Sequence, residues 1–311
     1  MNIRFELSDN CPCGSGLQLK TCCFKKNSWN KTPALIGHHS EKSNFSHDKC
    51  YANLTNDCSE KISREHLISE FILNNLGNQK AVKIGGLHWQ KEGQVQNISK
   101  AGLVSKVLCS KHNEMLSPFD AEMGRLHATI KKYDTSLQTD ELDEFSIFCG
   151  EDLEKWMLKT TCNYIVSNQI YSGEQKVECK MKEIYVDILF GNKPFPEGWG
   201  LYIDASGDDK IQHHNYLNLS FTVKDDTLRM TKLTLNGLTI YLLLERPTDS
   251  KKGIIYRPRA IEMKKCEVKK VMEISWQDKQ YNQGVFLTYE KPITRTSQEW
   301  DKIIFKKKAG S

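Results

Sequence analysis

The placement of cysteines constrains this chain more than any other feature of its 311 residues. Seven of the eleven cysteines lie in closely spaced groups before residue 111, and the other four are scattered. The opening residues lack a basic segment followed by an apolar one, so we expect no secretory signal and a cytoplasmic location. Clustered thiols in a reducing compartment are typical of metal sites rather than of disulfides.

The charge of the chain is unevenly distributed. Residues 1–134 carry 18 Lys and Arg against 13 Asp and Glu, whereas residues 135–311 carry 26 of each. An excess of cations in the first half favours an anionic partner there, such as nucleic acid. No apolar run approaches the roughly 20 residues that a bilayer helix needs, so we expect no membrane contact.

Residues 1–27 contain too few apolar side chains to form a hydrophobic core. Their cysteines have the spacing C-x-C-x8-C-C, which gives two ligand pairs separated by a glycine-rich turn. The four residues are Cys11, Cys13, Cys22 and Cys23. Four thiolates suit tetrahedral zinc with no open position, and the metal would supply the folding free energy of the segment. The spacing therefore predicts a structural zinc site, the alternative being exposed free thiols.

The CPCGSG opening of this segment and the basic residue before the paired cysteines resemble the SEC-C motif. The resemblance covers only this segment and implies no reaction. It implies a zinc-bound appendage that docks on a protein or on nucleic acid.

A second group of cysteines surrounds an acidic residue and a histidine. Cys50 and Cys58 precede the dipeptide Glu65-His66, and a Cys-x-x-His-Asn sequence follows about 40 residues later. This pattern resembles zinc-containing HNH endonucleases of the ββα-metal type. The resemblance implies a second structural zinc, held by Cys50, Cys58, Cys109 and His112, with His47 as a competing ligand.

The same resemblance assigns catalytic roles to the inner residues. It implies that His66 is the general base for water, and that Glu65 and Asn113 hold a catalytic Mg²⁺ or Mn²⁺. A histidine that is neutral near pH 7 can deprotonate water, and hard oxygen ligands suit these cations. Asn97 is the nearest candidate for the middle asparagine of the family. Asp120 is interpreted as a charge at a helix N-terminus rather than as a third cation ligand.

The sequence predicts an α+β fold with four segments. A zinc knuckle at 1–27 and a linker at 28–49 precede an HNH-like ββα module at 50–134. A helix followed by an antiparallel sheet is expected at 150–311. Within these segments we expect helices beginning near Ser117 and Leu153, strands at Ile184–Phe190 and Leu217–Val223, and a hairpin that turns at Asn236-Gly237.

The HNH resemblance implies a metal-dependent endonuclease, with DNA the favoured substrate and RNA the open alternative, and by analogy an anti-phage effector. A protein partner bound through the zinc motif or the C-terminal segment is also expected. The alternative is a non-enzymatic zinc adaptor with a purely structural second zinc, in which Glu65 is a surface acid and His66 a hydrogen-bonded histidine. A catalytic His66 would be accessible and would face Asn113.

Overall fold

The computed structural model describes residues 5–25, 27–36, 41–76, 81–85, 90, 94–139, 142–172, 175–191, 193–205, 217–247, 253–279 and 281–288. The end of the predicted C-terminal segment, 289–311, lies outside the described residues. Among the described residues, no helix is long and apolar enough to span a membrane.

The described chain mixes helices and strands, which confirms the α+β class. The helices are α1 Glu70–Leu76, α2 Ser110–Met115, α3 Ser117–Gln138, α4 Gly150–Val166 and α5 Glu183–Phe190, with short 3-10 helices at Leu19–Thr21, Asn53–Thr55 and Lys100–Leu103. The strands are β1 Phe24–Lys25, β2 Ser28–Trp29, β3 Glu65–His66, β4 Ala81–Gly85, β5 Val95–Ser99, β6 Val104–Ser105, β7 Glu144–Cys149, β8 Tyr171–Ser172, β9 Gln175–Lys176, β10 Gly200–Asp204, β11 Leu217–Lys224, β12 Thr227–Leu235, β13 Leu238–Leu243, β14 Ile254–Tyr256, β15 Ala260–Lys265, β16 Val268–Ser275 and β17 Val285–Thr288.

Two sheets form most of the strand framework. One has the order β14-β10-β13-β12-β11-β4-β5, and the other has the order β17-β15-β16-β7. The predicted antiparallel sheet is therefore divided in two. It is also mixed, because β11 pairs in parallel with β4, β15 with β17, and β16 with β7. Parallel pairing joins strands that are distant in sequence, and local patterns carry no signal for it.

The segments 50–134 and 150–311 share one hydrophobic core. Strands β4 and β5 come from the first segment and join the sheet of the second. A single cluster of buried side chains runs from Cys50 to Leu287. The division into separate modules remains a prediction from the sequence. The hydrophobic core is continuous across the boundary between the segments 50–134 and 150–311.

Two locally encoded elements form as predicted. The buried stripe of α3 consists of Leu116, Phe119, Met123, Leu126 and Ile130, and the helix begins at Ser117 with proline in its first turn. Strands β12 and β13 meet at Asn236 and Gly237, whose φ angles are 46° and 84°. Both central residues of a type I′ turn need positive φ, which Asn-Gly adopts at little cost.

The predicted strand Ile184–Phe190 is wrong, because this segment forms helix α5. Apart from Asp187 the run is almost continuously apolar, and Tyr185, Val186 and Ile188 are all buried. Periodicity cannot separate a strand from a helix when both faces are apolar.

The N-terminal knuckle packs on strand β7, which is an edge of the four-stranded sheet. The ring of Phe5 in the knuckle lies 5.5 Å from that of Phe145, and the ring of Trp29, at the start of the linker, lies 4.6 Å from it. The linker is held too, since the ammonium of Lys31 lies 2.5 Å from the Glu122 carboxylate. Covering an edge strand in this way protects its unpaired backbone groups from other chains.

Helix α4 is anchored by a buried ion pair. The Arg257 guanidinium contacts both oxygens of Glu154, with Nε–Oε1 at 2.8 Å and Nη2–Oε2 at 2.9 Å. The same carboxylate accepts the backbone N–H of Leu201 at 2.8 Å. Gly200 has a φ of 124°, and a Cβ there would lie 2.2 Å from Glu154 Oε1. The pair thus joins α4 to β10 and to the end of β14.

Replacing Arg257 with alanine should destabilise the fold strongly, because it leaves the Glu154 charge buried without a partner. We expect a loss of about 3–5 kcal/mol in the free energy of unfolding, measured by urea titration. Arg229→Ala removes a more exposed pair with Glu245 and should cost at most about 1 kcal/mol. Equal losses in the two variants would contradict the anchoring role of Glu154.

Candidate metal centres and the candidate catalytic site

The four cysteines of the N-terminal knuckle converge on one point. The sulfurs of Cys11, Cys13, Cys22 and Cys23 lie within 4.8 Å of one another. Hydrogen bonding from the Cys23 thiol lowers the pKa of Cys13 below its usual value, which favours a thiolate in the cluster. A set of four cysteines at this separation could hold a zinc ion, as the spacing predicts.

The second group of predicted ligands also converges. The ligand atoms of Cys50, Cys58, Cys109 and His112 lie within 4.8 Å of one another, and all four residues are buried. The competing ligand, His47, is not in this cluster, and its Nδ1 accepts the backbone N–H of Lys49 at 3.2 Å.

The His112 ring faces the three sulfurs with one nitrogen. Its Nδ1 lies 3.5 Å from the Cys50 sulfur, 3.7 Å from the Cys58 sulfur and 3.2 Å from the Cys109 sulfur. Residues that are far apart in sequence are therefore brought together around one point, and a set of three cysteines and one histidine could hold zinc there.

A hydrogen bond fixes the tautomer of His112. The Thr55 hydroxyl donates to the carbonyl of Ala52 at 2.7 Å, so Oγ1 accepts from Nε2 of His112 at 3.0 Å. With its proton on Nε2, the imidazole presents the Nδ1 lone pair to the sulfurs. A metal-bound histidine is usually oriented by such a contact on its second nitrogen.

Backbone N–H groups near the Cys109 sulfur favour its thiolate form, which is the form that binds a metal. Burial raises the pKa of this thiol, but the N–H groups of His112 and Ser59 outweigh burial and lower it. These N–H groups lie 3.5 Å and 3.3 Å from the sulfur. Cys109 is also the N-cap of α2, so the cluster is tied directly to a helix.

The cluster adjoins a short antiparallel pair of strands. Glu65 pairs with Ser105, and His66 with Val104, in β3 and β6. The backbone N–H of Tyr51, next to Cys50, donates to the carbonyl of Val107 at 3.0 Å. Strands β3 and β6 and helix α2 thus lie beside the second cluster, although each strand has only two residues and α1, β4 and β5 come between β3 and β6 along the chain.

His66 is half-buried, and its backbone carbonyl accepts from Asn163 at 3.3 Å. Burial lowers the pKa of its imidazole below the usual 6.5, with Glu70 and Asp120 opposing the shift. The ring is therefore neutral at pH 7, as a general base must be.

Glu65 is buried rather than exposed, so the alternative of a surface acid does not describe it. Its Oε1 lies 2.7 Å from the ammonium of Lys159, which also lies 2.5 Å from Oδ2 of Asp120. Burial raises the pKa of Glu65, and Lys159 opposes that rise. Asp120 is in the first turn of α3, as predicted, and also accepts from the Trp156 indole at 3.1 Å.

The two asparagines considered in the sequence lie on different elements. Asn113 is half-buried on α2, and its backbone N–H donates to the carbonyl of Cys109 at 3.0 Å. Asn97 lies on β5 and pairs with Lys83 of β4 in the seven-stranded sheet. It therefore belongs to a different sheet from the β3–β6 pair.

Sequence reasoning missed the part of α4 that contacts this site. Trp156, Lys159 and Asn163 contact Asp120, Glu65 and His66, and all three are buried. Their spacing of three and four residues puts them on one helical face. The available signal was the helical spacing of Lys159 and Asn163 after Trp156.

The comparisons with known proteins bear on the knuckle alone. A family model described as the SEC-C motif matches residues 8–25, which include all four cysteines of the first cluster. No curated protein and no solved structure matches the chain. The knuckle therefore carries a SEC-C motif that could bind metal, and the HNH resemblance stays a prediction.

Elemental analysis of reductively purified protein should find two zinc ions per chain. Cys22→Ser and Cys109→Ser should each reduce the count to one, because each removes one ligand from a different cluster. Cys266→Ser is the matched control, since this cysteine is exposed and outside both clusters. A count of two in either ligand variant would contradict the corresponding cluster.

The contact between Thr55 and His112 should affect zinc affinity without supplying a ligand. Thr55→Val removes the acceptor for Nε2–H, and we expect the second zinc to bind about 10–100-fold more weakly in chelator competition. Thr55→Ser retains the hydroxyl and should bind zinc as wild type does. Equal affinities in all three proteins would show that this hydrogen bond does not orient the ring.

Proposed function

We propose that this chain is an HNH-type endonuclease that hydrolyses phosphodiester bonds, in DNA rather than in RNA, with two structural zinc ions. The observation that carries the proposal is the β3–β6 pair followed by α2 and closed by the second cluster, three cysteines and His112. The paired strands and the helix are the elements that the HNH resemblance implies, although α1, β4 and β5 are inserted between the two strands, and β3 carries a half-buried histidine.

His66 is the general base in this proposal. Its neutral imidazole would take a proton from a water molecule whose oxygen attacks phosphorus; the bond from phosphorus to the leaving oxygen would break, and that oxygen would take a proton from solvent water. The lowered pKa of His66 supports this role, because it keeps the ring unprotonated at pH 7.

The charge near strand β6 supports an anionic substrate. A cavity of about 650 Å³ is lined by Ser105 of β6 and by three lysines, Lys49, Lys106 and Lys182. Asp48 and Glu183 also line it and offset part of this charge. Binding of nucleic acid here should weaken as salt rises, because each phosphate contact releases a counterion.

Glu65 does not fit the role of a divalent-cation ligand well. The resemblance assigns Mg²⁺ or Mn²⁺ to Glu65 and Asn113, but Glu65 Oε1 is already paired with the buried ammonium of Lys159. No step of the proposed mechanism is therefore assigned to a cation at Glu65.

We also propose the compartment, the kind of partner and the biological role of this activity. None of the eleven cysteines forms a disulfide, which supports action in the reducing cytoplasm. The knuckle or the C-terminal segment would bind a protein partner. A role as an anti-phage effector rests on analogy with other proteins that join a nuclease to accessory segments.

The second candidate function is a non-enzymatic zinc adaptor. The pairing of Glu65 with Lys159 favours it, since a carboxylate neutralised inside the protein has a structural role. The two candidates differ in whether His66 is needed for cleavage.

His66→Ala should abolish cleavage of plasmid DNA while zinc content and DNA binding persist. Loss of a general base typically reduces the rate by about 10²–10⁴-fold. The assay compares EDTA, Mg²⁺ and Mn²⁺. His47→Ala is the control, because this histidine lies outside the second cluster and should leave cleavage unchanged.

Cleavage by His66→Ala at the wild-type rate would reject His66 as the base. Absence of cleavage of DNA or RNA by the wild type, with every cation tested and with its partner present, would favour the zinc adaptor.

A further inference from the structure

Two carboxylates from different elements converge on a single buried cation. Glu65 belongs to β3 and Asp120 to α3, yet Oε1 of the first and Oδ2 of the second lie 2.7 Å and 2.5 Å from the same Nζ of Lys159. The Lys159 side chain is only 2% exposed. The ammonium thus occupies the point that a metal ion bridging these two oxygens would take.

We propose that Lys159 is a resident cation that holds Glu65 and Asp120 together and keeps divalent cations off both carboxylates. Its role in cleavage rests on the proposed nuclease function, whereas the exclusion of cations does not. Glu65 is then a positioning residue rather than a metal ligand.

Electrostatics make the two occupants mutually exclusive. A divalent ion bound to Oε1 of Glu65 would lie within about 4 to 5 Å of the Lys159 nitrogen, and repulsion between such charges is strong where water is excluded. The lysine has little freedom to withdraw, because α4 is buried along almost its whole length.

The same contacts position the histidine. Glu65 directly precedes His66 on β3, and Asn163, one turn after Lys159 on α4, donates to the His66 carbonyl at 3.3 Å. Helix α4 therefore contacts both residues of β3, through Lys159 and Asn163. Since Lys159 also pairs with Asp120, it fixes β3 relative to α3.

Mn²⁺ titration of the full-length, zinc-loaded protein tests this proposal, with free Mn²⁺ measured by electron paramagnetic resonance. Glu65→Gln should bind Mn²⁺ as wild type does, because Glu65 is not a ligand. Lys159→Met should bind Mn²⁺ more than about ten-fold more tightly, because the two carboxylates lose their cation. The gain should disappear in the double variant Lys159→Met/Glu65→Gln.

Lys155→Met is the matched control, since Lys155 lies on the same helix with its ammonium over the Phe119 ring. It should leave Mn²⁺ affinity unchanged. Weaker Mn²⁺ binding in Glu65→Gln, or no gain in folded Lys159→Met, would overturn the proposal. If Lys159→Met does not fold, the comparison of wild type with Glu65→Gln decides. Because no arm measures cleavage, failure of the nuclease proposal would leave this result unaffected.

Discussion

The cluster of Cys50, Cys58, Cys109 and His112 is the constraint around which the candidate site is arranged. Its members come from two stretches of chain separated by about 50 residues, and each stretch adjoins one strand of the β3–β6 pair. A pair of two-residue strands has little stability of its own. A zinc ion bound to all four residues would hold both strands and the start of α2 in one arrangement.

Helix α4 provides the second support. One face carries Glu154, whose pairing with Arg257 anchors the helix to the seven-stranded sheet, and another carries Lys159 and Asn163, which contact β3. The C-terminal half is therefore part of the candidate site rather than an accessory to it. Buried charges of this kind cost free energy when one partner is lost.

Local sequence patterns predicted much of the fold and of the candidate site. Contacts between residues distant in sequence formed the part that these patterns did not predict. Cysteine spacing indicated the first cluster and Asn236-Gly237 indicated a hairpin, because each signal depends on residues close in sequence, whereas the ligands of the second cluster were implied by the HNH resemblance. Helix α5, Glu183–Phe190, and the parallel pairing of β4 with β11 were not predictable in this way. The role of Lys159 was not predictable for the same reason. Its partners Glu65 and Asp120 are 94 and 39 residues away in the sequence.

X-ray absorption at the zinc K-edge tests the central claim, two zinc centres with different ligand sets, most directly. The clusters contain seven cysteines and one histidine in total, so the average zinc should have 3.5 sulfur and 0.5 nitrogen ligands. The corresponding distances should be about 2.3 Å to sulfur and about 2.0 Å to nitrogen. An average of two or fewer sulfurs, or a shell dominated by oxygen, would contradict the account.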